Sequence, residues 1–218
     1  MEYKNLTGGA ITDKISIYNC DCMELLKQTP DNYYSLSIVD PPYGIERFKN
    51  GIGKNDRHKV KSTAIFNNNP PTDVYFNELF RVSKNQIVWG ANNFIMPPSE
   101  YFLVWNKKQT VDNFASAEYA WVSMGLKTPA KIFDYGIHKH NHTDKIHPTQ
   151  KPIDLYKFIL DKYAKEGDKI LDTHSGSASL AIARHDYGFN LTACELDVDY
   201  YNKAVERIKN HVSQLKLF

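Results

Sequence analysis

Short β-rich runs alternate with amphipathic helical stretches along almost the whole chain, and that alternation limits the fold more than any other feature. Segments 15–18, 36–39, 86–89, 101–105, 119–122, 169–171 and 190–194 read as strands, rich in β-branched and aromatic residues. Segments 21–27, 72–82, 154–164, 179–187 and 198–212 read as helices. In the last, Tyr201, Ala204, Val205, Ile208 and Val212 fall on one face, a period of three to four; Leu155, Phe158, Ile159 and Tyr163 repeat it one helix earlier. Such alternation predicts an open α/β sheet with helices on both faces. Ligands in such sheets bind at the carboxyl ends of the strands, so the residues just after each strand are where function is expected.

With 218 residues the chain suits one domain spanning 1–218. Segments 44–71 and 134–148 break the pattern and read as inserted loops. A mean hydropathy of -0.51 and short apolar runs argue against a membrane protein. Residues 1–12 carry no apolar core of a secretory signal, and Cys20, Cys22 and Cys194 fit no zinc spacing. Reduced thiols in a cytoplasmic protein are the expectation. The net charge of +2 is too small to demand a polyanionic partner, but its distribution is uneven. Between residues 46 and 61, Arg47, Lys49, Lys54, Arg57, Lys59 and Lys61 face only Glu46 and Asp56, so six positive charges less two negative leave +4. A solvated loop and a phosphate-binding patch are both compatible with that count.

Four local words carry chemistry. Asp40-Pro41-Pro42-Tyr43 follows the second strand. Its prolines fix φ and remove two N–H groups, leaving a stiff turn whose carbonyls lack local donors. A carboxylate and a carbonyl held side by side accept both hydrogens of an –NH2 group, and Tyr43 offers a flat face for a base drawn out of its stack. Asp172-Thr173-His174-Ser175-Gly176-Ser177 follows another strand and opens a helix, where small residues let a ligand approach the backbone. Glu195 ends the next strand nineteen residues beyond Gly176, a spacing suited to ribose hydroxyls. A nicotinamide dinucleotide site should show G-x-G-x-x-G, and this turn has Gly176 alone. An adenosine cofactor without a pyrophosphate fits better. His147-Pro148-Thr149-Gln150-Lys151-Pro152 and Asn19-Cys20-Asp21-Cys22 read, by themselves, as helix entries, with Asp21 an N-cap.

Together these words resemble the amino-DNA methyltransferases of the permuted β class. Asp40–Tyr43 looks like their D-P-P-Y catalytic motif, Asp172–Ser177 their D-P-F-x-G-S-G cofactor loop, and 147–152 their H-P-T-Q-K-P element. Residues 19–22 resemble the segment whose acid contacts the cofactor adenine, and 81–84 the R-V-L-K-P-G stretch without its glycine. The motif order, catalytic turn first and cofactor loop last, implies circular permutation and argues against N5-glutamine protein methyltransferases. The chain is similar to compact phage-encoded adenine enzymes.

The resemblance implies a single-domain, Rossmann-like fold and methyl transfer from S-adenosylmethionine to adenine N6 in DNA. It implies catalysis by Asp40, Pro41, Pro42 and Tyr43. It implies cofactor binding by Asp21, Cys22, Asp40, Thr149, Lys151, Asp172, Thr173, His174, Ser175, Gly176, Ser177 and Glu195. Three other activities remain open: an N4-cytosine enzyme, more often marked by S-P-P-Y; an RNA methyltransferase; and a noncatalytic nucleic-acid-binding relative. Thr173-His174 stands where Pro-Phe is usual, so the aromatic packing of the Phe is either supplied by the imidazole of His174 or lost.

No large target-recognition domain is apparent, so DNA reading falls to 44–71, 106–114 and 134–145 or to a second subunit, which leaves room for a homodimer. Arg47, Lys54, Arg57, Lys59, Lys61, His138 and His140 are the expected DNA contacts. The alternation His138-Lys139-His140-Asn141-His142 would line three rings along one face of a strand. Zinc sites usually add a Cys or a carboxylate with outer-shell support, so phosphate contact from a basic loop is expected rather than metal binding, with a solvated loop as the alternative.

Overall fold

The computed structural model describes residues 2–44, 69–110, 112, 115–141, 145–147 and 149–214. Among these, nine strands form one sheet: β1 (Thr7–Ala10), β2 (Ile15–Asn19), β3 (Leu36–Val39), β4 (Gln86–Trp89), β5 (Phe102–Asn106), β6 (Ala117–Val122), β7 (Lys131–Asp134), β8 (Lys169–Asp172) and β9 (Asn190–Glu195). Their order is β1-β2-β9-β8-β3-β4-β6-β5-β7. The five strands from β2 to β4 in that order are mutually parallel, whereas β6 runs antiparallel to both β4 and β5. The helices are α1 (Cys22–Gln28), α2 (Asp73–Val82), α3 (Ile137–Asn141), α4 (Ile153–Tyr163), α5 (Ser179–Tyr187) and α6 (Val198–Ser213).

Strand periodicity divides the core. Ile15 and Ile17, Leu36 and Ile38, and Ile87 and Trp89 join Leu155, Ile159, Leu180, Ala204 and Ile208 of α4–α6 on one face. Their neighbours Tyr18, Val39 and Val88 point the other way, onto Leu25 and Leu26 of α1 and Tyr75, Phe76, Leu79 and Val82 of α2. The predicted α/β sheet with helices on both faces is therefore present. All four residues of β3 and of β4 are buried, as expected of central parallel strands covered on both sides.

Two strands were not predicted. β1 contains Gly8 and Gly9, which have poor strand propensity, but it is an edge strand that pairs antiparallel with β2. A Cβ on Gly8 would lie 2.6 Å from the Ile17 carbonyl oxygen, so the close pairing needs glycine. β7 pairs in parallel with β5. Over its described residues the 134–148 segment does not form the strand that the histidine alternation suggested. Residues Ile137–Asn141 form α3, where a period of 3.6 separates side chains that period two would align. Among the described residues, no helix is long and apolar enough to cross a membrane.

This topology creates a crevice. From β8 the chain passes through α5 to β9 on one side; from β3 it passes by way of α2 to β4 on the other. β8 and β3 are adjacent, so the strand order reverses between them, where a ligand cleft is expected at the carboxyl ends. Asp172 ends β8, and Asp40 immediately follows β3.

Candidate active site

A cavity of about 1390 Å³ opens over these strand ends. It gathers Asp21 and Cys22, Asp40 through Tyr43, Thr149 and Lys151, Thr173 through Ser177, and Glu195, which are far apart in sequence. Asp172 does not line it. The Asp172 carboxyl lies buried behind the loop, accepts the His174 N–H at 3.1 Å, and is pushed up to about 8 by burial.

The loop after β8 is shaped by two left-handed residues, Gly176 (φ +49°) and Ala178 (φ +59°), the second capping α5. Glu195 ties this loop to the end of β9. Its Oε2 accepts the Gly176 N–H at 2.8 Å and its Oε1 accepts the Asp197 N–H at 3.0 Å. Glu195 also lines the cavity. Arg207 of α6 fixes the far side by donating to the Ser177 carbonyl at 2.6 Å.

Three side chains behave as the bare sequence suggests. Asp21 caps α1, its Oδ1 accepting the Met23 N–H at 2.8 Å. The His174 ring meets Tyr75 edge-on at 5.5 Å, and its Nδ1 lies 2.9 Å from Thr173 Oγ1, which is itself 2.6 Å from the Tyr75 hydroxyl. Burial lowers its pKa to about 4, so at neutral pH it packs as an uncharged aromatic ring. Cys22, whose thiol burial pushes up to about 12, is no nucleophile.

Opposite lies the turn after β3. The Tyr43 hydroxyl donates to Asp40 Oδ1 at 2.5 Å, and the Lys151 ammonium donates to Asp40 Oδ2 at 2.5 Å and to Tyr43 Oη at 3.0 Å. Lys151 also pairs with Glu118 of β6 at 3.1 Å, and Glu118 with Lys107 at 2.6 Å. Burial acts to raise the Glu118 carboxyl, but Lys151 and Lys107 bring it down to about 2. Burial likewise opposes the Lys151 charge, and Asp40 and Glu118 reverse that, raising it above the ordinary lysine range. Removing one member of such a buried set typically costs about 3–5 kcal/mol, because an uncompensated charge remains. Gly90, after β4, makes room for this turn: a Cβ there would lie 2.0 Å from Tyr43 Cε1.

Glu118, Lys107 and Gly90 were not anticipated from the sequence. A charged residue within the apolar run of β6 was the one available signal for Glu118.

Of the expected DNA contacts, Arg47, Lys54, Arg57, Lys59 and Lys61 lie outside the described residues, and for His138 only its place in α3 is described. His140 is described in full. It is 2% exposed, its Nε2 lies 2.5 Å from the Gln150 carbonyl oxygen, and its ring meets Trp105 edge-on at 5.8 Å. Burial lowers it to about 4, leaving it uncharged at neutral pH. His147 is also lowered to about 4 by burial; its ring packs on Tyr200 at 4.4 Å and its Nδ1 accepts the Thr149 N–H at 3.3 Å.

Comparison with known proteins gives a consistent result. Residues 59–206 match the N6/N4 family model described as DNA methylase. The type II methyltransferase M.BglII of Bacillus subtilis is 25% identical over 243 residues, covering 84% of this chain and 67% of that protein. The type II methyltransferase M2.MboI of Moraxella bovis is 24% identical over 254 residues, covering 91% and 92%. Among solved structures, the M1.HpyAVI–SAM complex aligns with a TM-score of 0.58 at 18% identity, covering 88% of this chain and 99% of that one. The cytosine-N4-specific PvuII DNA methyltransferase aligns at 0.59 and 13% identity, covering 95% of each. At these identities the structural likeness speaks to the fold.

Proposed function

The chain belongs to the N6/N4 DNA methylase family, and from that premise we propose that it transfers a methyl group from S-adenosylmethionine to adenine N6 in DNA. The observation that carries this reading is the meeting, in one cavity, of the Asp40–Tyr43 turn, the loop residues Thr173–Ser177 and Glu195. The residues present fit the cofactor. A turn of small residues opens onto the cavity, the half-buried Glu195 carboxylate lines it where ribose hydroxyls can be met, and Asp21 stands at the entry of α1 for the adenine amine. Bound there, S-adenosylmethionine supplies a methyl group on a positively charged sulfur.

Asp40 and the Pro41 carbonyl hold the two hydrogens of the base amine, aiming the nitrogen lone pair at the methyl carbon. S-adenosylmethionine would supply the methyl group to that nitrogen and leave as the neutral thioether, while Asp40 and the Pro41 carbonyl hold the amine until its surplus proton passes to water. Most of the acceleration comes from positioning two bound reactants and from fixed charges around them. The motif order, turn before loop, supports the permuted β-class reading, with residues 1–218 as one methylase domain. Asp40 in place of serine supports adenine. The fold likeness to the PvuII enzyme favours cytosine N4 as the second reading.

Incubation with DNA and labelled cofactor, followed by digestion to nucleosides, tests the proposal: N6-methyldeoxyadenosine is the expected product, and N4-methyldeoxycytidine would overturn the choice of base. Asp40→Ala should lose about a hundredfold or more in rate while cofactor affinity holds. Near-normal turnover would remove Asp40 from the mechanism.

A further inference from the structure

We propose that Lys151 and Glu118 are positioning residues for the methyl transfer: Lys151 fixes the Asp40 carboxylate and Tyr43 hydroxyl, and Glu118 acts only by fixing Lys151. The inference rests on the reading of Asp40 as acceptor of the target amine. An ammonium has three hydrogens to donate. That of Lys151 donates to Asp40 Oδ2 at 2.5 Å and Tyr43 Oη at 3.0 Å, and it forms an ion pair with Glu118 Oε2 at 3.1 Å. Its side chain is 3% exposed and its nitrogen stands 5.4 Å from the Trp89 ring centroid and 5.5 Å from that of Tyr43. The charge is therefore buried and held among these oxygens and rings.

The three partners come from different parts of the fold. Asp40 and Tyr43 follow β3, Lys151 precedes α4, and Glu118 sits in antiparallel β6. Glu118 has its other oxygen engaged by Lys107, so it is held from both sides. The result is a rigid cradle. With Asp40 Oδ1 taken by Tyr43 and Oδ2 by Lys151, the remaining lone pair on each oxygen has a fixed direction for the incoming amine.

The test measures kcat and KM of the full chain on duplex DNA for Glu118→Gln, Lys151→Met, the double variant and Asp40→Ala. A displacement of the reacting group by about 1 Å costs up to about a hundredfold in rate. We expect Lys151→Met to approach that loss and Glu118→Gln to lose about tenfold, both in kcat, with KM for S-adenosylmethionine within about twofold of wild type. In the Lys151→Met background, Glu118→Gln should cost nothing further, because its only route to Asp40 is gone. If Lys151→Met does not fold, the kcat and KM of Glu118→Gln decide alone.

Wild-type kcat in Glu118→Gln overturns the inference, as does an equal loss in both backgrounds. A loss confined to the cofactor KM overturns it in favour of a cofactor contact. Asp40→Ala separates the two levels: near-normal turnover there means that the reading of the catalytic turn has failed, whereas an inactive Asp40→Ala beside a normal Glu118→Gln overturns the positioning role alone.

Discussion

Gly90→Ala should damage the active site although Gly90 carries no functional group. Gly90 adopts φ +66°, where an L side chain costs about 1–2 kcal/mol. The added Cβ would stand 2.0 Å from Tyr43 Cε1 and 2.4 Å from Cδ1 and Cζ. Carbon atoms in contact settle near ~3.5–4.0 Å, so the ring must retreat by about 1.5 Å or more. Such a retreat strips the 2.5 Å hydrogen bond from Tyr43 to Asp40, and a bond to a charged group contributes about 1.5–3 kcal/mol. Strain and lost bond sum to roughly 3–5 kcal/mol. At ~2–4 °C per kcal/mol for a chain of this size, the melting temperature should fall by roughly 6–20 °C. Turnover should fall about a hundredfold through misplacement of the catalytic turn. The assays are thermal denaturation and single-turnover methylation, repeated in a Tyr43→Ala background. There the clash is absent, and Gly90→Ala should cost only the backbone strain of about 1–2 kcal/mol. Wild-type melting and turnover, or the same cost in both backgrounds, would show that Gly90 does not exist to admit the Tyr43 ring.

Glu195→Ala should raise the dissociation constant for S-adenosylmethionine about ten- to hundredfold, as loss of hydrogen bonds to a charged group implies; unchanged affinity by calorimetry would place the cofactor elsewhere. Asp172 is protonated up to about pH 8 in the fold but only to ~4 when unfolded, so the folded state holds the extra proton between those values and stability falls as pH rises through that window. His147 and His174, lowered to about 4, act oppositely: the unfolded state takes up their protons first as pH drops below ~6.5, so stability falls with falling pH. Thermal melts of the cofactor-free protein should peak near pH ~6.5, and Asp172→Asn should remove the decline from there to pH ~8; an unaltered slope in that variant refutes the assignment. Neutralising Lys54, Arg57 and Lys59 together should weaken binding to all DNA sequences alike and flatten the log–log salt dependence by up to about three units. A wild-type salt slope in that triple variant would exclude these side chains from the phosphate contacts.

What the sequence disclosed and what it hid divide along physical lines. The apolar runs of β3 and β4 and the stripe of α6 were legible because burial on two faces or one imposes a period on the residues themselves. The Asp40–Tyr43 turn and the loop at Gly176 were legible because stiff or left-handed backbone needs proline or glycine, and those residues mark the spot. β1 was hidden because its glycines serve close approach to β2 rather than strand propensity. His140 misled for a related reason: its alternation with His138 follows a strand period, while the fold puts it in α3 with its ring against Trp105.

The deepest part of the site was hidden by topology. Lys151 meets Asp40 across 111 residues, and Glu118 reaches Lys151 from β6, which runs antiparallel beside β4. No local rule of propensity or spacing encodes such a meeting. It depends on the reversal of strand order between β8 and β3, which brings the Asp40 turn and the β8 loop to one crevice, and on α4 leading its first turn back to that crevice. The short motifs thus identify the groups that meet substrate and cofactor, whereas the charges that orient them belong to the sheet order. Substitutions at Glu118 and Gly90 probe that second layer, which lies outside every local motif and should govern rate more than cofactor affinity.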